Sequence, residues 1–124
     1  YFLGDLDSKN TLDLNHKNWL SNHFNLNKKD FKTKIINTKN LGDIFLKYKL
    51  FNIDFLNVDI EGHELDVLKL FNFKKFHIKV ICIELLDYNK MSAAKKKQLI
   101  LLLKKNKFRL VDKSKINYIF KRIN

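Results

Sequence analysis

Residues 53–64 run Ile53-Asp54-Phe55-Leu56-Asn57-Val58-Asp59-Ile60-Glu61-Gly62-His63-Glu64. Phe55, Leu56, Val58 and Ile60 make the first part a largely apolar strand of the kind buried in a parallel sheet. Gly62 breaks the pattern, and Leu65, Val67, Leu68, Leu70 and Phe71 resume it at the spacing of one helical face. A second apolar run, Ile78 to Leu86, with Val80, Ile81, Cys82 and Ile83 at its centre, has the length and composition of another central strand.

The remaining elements follow from periodicity, because Gly4, Gly42 and Gly62 are the only glycines and there is no proline. Thr11 is placed to cap a helix through Trp19, Leu20 and Phe24, whose aromatic side chains are expected in the core. Phe31 to Thr38 alternates in the manner of a partly exposed strand. Leu41, Ile44, Phe45 and Tyr48 predict a short amphipathic helix over 40–50. Ser92 is a plausible N-cap for a long helix through Leu99, Leu102 and Leu103 that ends near Asn106. Phe108–Val111 and Ile116–Phe120 flank the polar turn Asp112-Lys113-Ser114-Lys115 and predict an antiparallel hairpin. Strands alternating with helices, closed by a hairpin, predict an α/β fold on a mainly parallel sheet, with residues 1–30 as a variable lead-in and 31–124 as part of one domain.

Composition narrows the function classes. An apolar fraction of 45% with 11 Phe gives enough burial for a globular core within 124 residues. The net charge of +12 invites a nucleic-acid reading. Against it, all but two of the 25 basic residues are Lys, the exceptions being Arg109 and Arg122, whereas base and phosphate readout favours the arginine fork. Abundant Lys, Asn, Ile and Phe without Pro is what adenine- and thymine-rich codons produce. The run Lys95-Lys96-Lys97 falls where a helix needs a solvated face. Cys82 stands alone, flanked by apolar residues, and is expected as a buried strand residue in a reducing compartment rather than a nucleophile. No apolar stretch reaches membrane-spanning length, and no secretory leader is visible, so a cytoplasmic location is expected. The chain starts at Tyr1 and has Met91 as its sole methionine, which suggests a processed protein or a piece of a longer one.

In open α/β sheets, ligands bind outside the carboxyl ends of the strands. Both apolar strands end in acid, at Asp59 and Glu61 for the first and at Glu84 and Asp87 for the second. A carboxylate after an apolar strand is costly unless it is paired or works on a ligand. Asp59 and Glu84 are therefore expected to face one crevice, where a carboxylate pair can orient a hydroxyl, accept its proton or hold a divalent cation. Asp59, Glu61 and Glu64 can equally serve the start of the following helix. His63 is expected at the surface, and His16, His23 and His77 are too dispersed to suggest a metal cluster.

Residues 54–69 closely resemble the signature of the FkbM-type methyltransferases, in which an apolar strand runs into Asp-x-Glu-Gly, then a Glu, then Leu-x-x-Leu-Lys. The helix at Asn40-Leu41-Gly42-Asp43-Ile44, the strand Val80-Ile81-Cys82-Ile83-Glu84 and the hairpin extend the resemblance over roughly residues 31–122. It implies a partial Rossmann-like fold and methyl transfer from S-adenosylmethionine, commonly to a hydroxyl of a sugar or another small metabolite. It also implies that Asp59, Glu61 and Glu84 lie near the reacting centre; no residue is assigned as a metal ligand. Asn57 replaces the lysine often found before the Val-Asp pair. The family's glycine-rich cofactor turn is absent upstream of residue 31, so the cofactor half is expected in a missing N-terminal part of the same protein. A degenerate, non-catalytic interaction module and a basic nucleic-acid-binding domain are the competing readings.

Overall fold

The computed structural model describes residue 11 and residues 14–27, 29, 31–85 and 90–123. The expected lead-in at 1–10 and the strand-end residue Asp87 lie outside the described residues. Among those described, the elements are α1 (Leu14–His23), α2 (Leu41–Lys47), β1 (Asn52–Val58), α3 (Glu64–Lys69), β2 (His77–Glu84), α4 (Lys90–Lys105), β3 (Phe108–Lys113) and β4 (Asn117–Arg122). One four-stranded sheet has the order β1-β2-β4-β3. β1 and β2 are parallel, joined by the crossover through α3, while β4 is antiparallel to both β2 and β3. The α/β class and the terminal hairpin stand; the sheet, expected to be mainly parallel, has one parallel and two antiparallel pairs, because the hairpin supplies two of its four strands, an arrangement compatible with a partial Rossmann-like fold.

The core lies on the sheet face covered by α3 and α4. Ile78, Ile81 and Ile83 of β2 meet Leu68 of α3, Leu99 and Leu103 of α4 and Phe120 of β4, all essentially inaccessible to solvent. A second part of the same core is aromatic: Phe71 packs edge-on against Phe45 and Phe73 at 5.4 and 5.0 Å and stacks on Phe76 at 5.2 Å. Edge-to-face and offset pairs of this kind add to the stabilisation from burial alone. Ile81→Val, which removes one methylene from the most enclosed strand, is expected to cost about 0.5–1.5 kcal/mol in chemical denaturation.

Arg122 is used up structurally. Its Nε donates to the Ile78 carbonyl at 2.9 Å and its Nη2 to that of Phe73 at 3.2 Å, with the guanidinium 4.8 Å from the Phe108 ring centroid. One of the two arginines is thus unavailable for phosphate readout, which weakens the nucleic-acid reading further.

Several expectations are corrected. The segment 31–38 is not a strand: beyond an isolated bridge at Lys32 it joins no ladder, and Ile35 is 95% exposed. Its alternation of Lys, Thr, Ile and Asn gives neither face enough apolar surface to reward pairing. β1 is an edge strand among the described residues rather than a buried one, which leaves Phe55 58% exposed. Cys82 is half-buried. Ser92 lies inside α4, which begins at Lys90, and so does not cap it. α1 starts three residues past Thr11, whose hydroxyl donates instead to the Glu61 carbonyl at 3.2 Å. Trp19 is half-buried and Phe24 exposed; they pack with His23 as an aromatic cluster on α1 rather than in the core.

Candidate functional site

The register of the parallel pair builds the site. Val58 lies beside Ile83, so the residues that follow them, Asp59 and Glu84, emerge side by side from strands about 4.8 Å apart. Glu61 joins them through the tight turn after β1. One carboxylate oxygen from each of Asp59, Glu61 and Glu84 lies within 4.8 Å of the others. All three expected residues therefore converge.

The turn that delivers Glu61 is unusual in its backbone. Glu61 has φ 54° and Gly62 φ 101°, two consecutive residues in the left-handed region, where a non-glycine residue is strained. The buried carboxylate of Glu64 holds this conformation from inside: its Oε1 accepts the backbone N–H of Ile60 at 3.2 Å and of Gly62 at 3.1 Å. From outside, Thr11 donates to the Glu61 carbonyl and Lys95 Nζ to the Gly62 carbonyl at 3.1 Å. Glu64 thus serves the turn rather than ligand. Glu64→Ala is expected to cost about 1–3 kcal/mol, because two backbone amides lose their acceptor, while Glu64→Gln, which keeps an acceptor oxygen, costs less. Urea denaturation of the two variants checks the order.

The three carboxylates share a half-enclosed pocket, open to solvent on one side, with Gly62, Leu65, Leu85, Ser92, Lys95, Lys96 and Leu99. Burial, and after it the hydrogen bond and negative charge of Asp59, with the charges of Glu61 and Glu64 behind, push the Glu84 carboxyl up to about 7. Close carboxylates do not ionise together easily, so Glu84 keeps its proton into the neutral range.

Sequence patterns did not disclose the partners that arrive from afar. His16 of α1 is buried, with Nδ1 3.1 Å from Glu61 Oε2, and so α1 lies against the acidic turn. Lys95 and Lys96, expected on a solvated face, line the pocket, and only Lys97 of that run is exposed. His63 hydrogen-bonds Asp66 through Nδ1 at 3.2 Å and takes no part in the cluster. His23 stays with the aromatic cluster of α1, and His77 pairs with Asn52 at the opposite end of β2.

An alcohol oxygen fits this donor set, since the carboxylates can orient and deprotonate it. Gly42 and Gly62 are the only glycines among the described residues, which therefore form no glycine-rich turn of the kind that holds a cofactor such as S-adenosylmethionine. Comparison with known families matches residues 4–110 to the Methyltransferase FkbM domain. No curated protein and no solved structure matches the chain.

Proposed function

The chain belongs to the methyltransferase FkbM family, and we propose that its acidic pocket is the acceptor side of an O-methyl transfer, acting on a hydroxyl of a sugar or another small metabolite. The observation that carries this reading is the convergence of the Asp59, Glu61 and Glu84 carboxylates at the carboxyl ends of two parallel strands, where burial and the neighbouring charges raise the Glu84 carboxyl to about 7. A base whose pKa lies near the working pH combines availability with strength.

In this reading Asp59 orients the acceptor hydroxyl and Glu84 takes its proton as the oxygen acquires the methyl group. Glu61, fixed by its strained turn and by His16, keeps the pocket acidic and so keeps the Glu84 proton affinity high. S-adenosylmethionine supplies the methyl group from outside the described residues. The contacts of Thr11 and His16 with Glu61 support a role for the 1–30 segment in covering the acceptor. The cofactor loop belongs to an N-terminal part of the same protein, and the open edge of β1, with Phe55 exposed beside it, supports a further strand docking there. A cytoplasmic setting agrees with that assignment, and no helix among the described residues is long and apolar enough to cross a membrane.

Calorimetric titration of the 124-residue chain with S-adenosylmethionine is expected to show weak binding or none. Micromolar affinity would overturn the placement of the cofactor site in another segment.

A further inference from the structure

Next to the acidic pocket, one strand away, the charge reverses. Tyr118 on β4 pairs with Ile83 of β2 and with Lys113 of β3, and it is only 4% exposed. Lys96 reaches its ring from α4 and Lys113 from β3, each ammonium 5.1 Å from the ring centroid. Burial would raise the Tyr118 phenol, but the hydrogen bonds and positive charges of Lys96 and Lys113 outweigh it and lower its pKa. Two cations thus meet at one phenolic oxygen, held by three different elements of the fold. Lys96 also lines the acidic pocket, so the two regions are continuous through its side chain.

We propose that Lys96, Lys113 and the Tyr118 hydroxyl form a subsite for a phosphate group carried by the methyl acceptor, which makes the acceptor a phosphorylated small molecule. The inference rests on the acceptor reading of the neighbouring carboxylates. Two ammonium groups and a phenol offer hydrogen-bond donors from separate directions, which suits the tetrahedral oxygens of phosphate better than a planar carboxylate. The polarity also orients the ligand. A neutral hydroxyl is tolerated among Asp59, Glu61 and Glu84, while an anionic group is repelled there and drawn across Lys96 toward Tyr118, roughly one strand spacing of about 5 Å away. A hydroxyl a few bonds from the phosphate then reaches Glu84.

The probe is inorganic phosphate, added to the full chain carrying carbon-13 at tyrosine Cζ, in about 150 mM sodium chloride to screen diffuse attraction to a basic protein. Phosphate is expected to shift the Tyr118 resonance saturably at millimolar concentrations, and Lys113→Met, at an exposed position, to weaken the binding by about tenfold, the effect of losing one charge-assisted hydrogen bond. Lys121→Met, which removes an exposed lysine elsewhere on β4, is expected to leave it unchanged. Absence of a saturable shift up to roughly 50 mM phosphate, or equal affinity in Lys113→Met, overturns the subsite. Acetate binding as tightly as phosphate overturns the phosphate assignment in favour of a carboxylate. Phosphate binding that survives Asp59→Asn separates this site from the transfer chemistry, since neither cofactor nor hydroxyl is present in the titration.

Discussion

Asp59→Asn is expected to lower methyl transfer by the cofactor-bound enzyme by about 10²- to 10⁴-fold, the span over which a positioned carboxylate contributes to proton transfer and alignment. Asparagine keeps the shape but carries no charge. It aligns a hydroxyl poorly and no longer raises the proton affinity of Glu84, whose elevated value depends on burial first and on Asp59 next. Asp59 is exposed and lies just past the end of β1, so the same change is expected to move folding stability by no more than about 0.5 kcal/mol. The two effects are separated by following transfer of an isotope-labelled methyl group alongside urea denaturation. Unchanged turnover would remove Asp59 from the chemistry, and a large loss of stability would show that it serves the fold instead.

Glu84→Gln is expected to reduce transfer by a similar factor and to erase its pH dependence near neutrality. In the native protein transfer should rise as the pH climbs through about 7, where Glu84 gives up its proton and becomes able to accept one. The same group makes a signed contribution to stability. Its folded pKa of about 7 lies above the ordinary 4.5, so the folded state retains a proton that the unfolded chain releases. The favourable contribution is present below pH 4.5 and lost as the pH rises through 7. Glutamine is neutral throughout, so the variant should gain thermal stability relative to the native chain at pH 8 by about 2 °C or more, and little at pH 5. Equal differences at both values would show that Glu84 titrates normally.

Asp59 and Glu84, on which these expectations rest, are marked out by the sequence itself. Asp59 and Glu84 were legible because each ends an apolar run, and parallel strands in register bring their ends together. The turn between them was legible only as a glycine. Its strain, and the inward clamp by Glu64, depend on hydrogen bonds to Ile60 and Gly62 that spacing alone leaves open between capping and turn-holding. Thr11 and Lys95 reach this turn from 50 and 33 residues away, and no local periodicity carries such information. In the Lys95-Lys96-Lys97 run, helical geometry points the three residues in different directions, and which of them meet the pocket depends on how α4 lies on the sheet. Residues 31–38 misled for the opposite reason: alternation is necessary for a half-buried strand, but pairing also needs a neighbour, and the described residues supply only one isolated bridge. β1 looked central by composition and sits at an edge for the same cause. Its Phe55 is left exposed there.

The most direct test is a carbon-13 titration of the Glu84 side-chain carboxyl, in the native chain and in Asp59→Asn. Burial and the neighbouring Asp59 carboxylate predict a midpoint of about 7 in the native protein and a clear fall toward the ordinary value once the Asp59 charge is gone. A midpoint near 4.5 in both proteins would contradict it, and with it the claim that the ends of β1 and β2 form a single proton-accepting site.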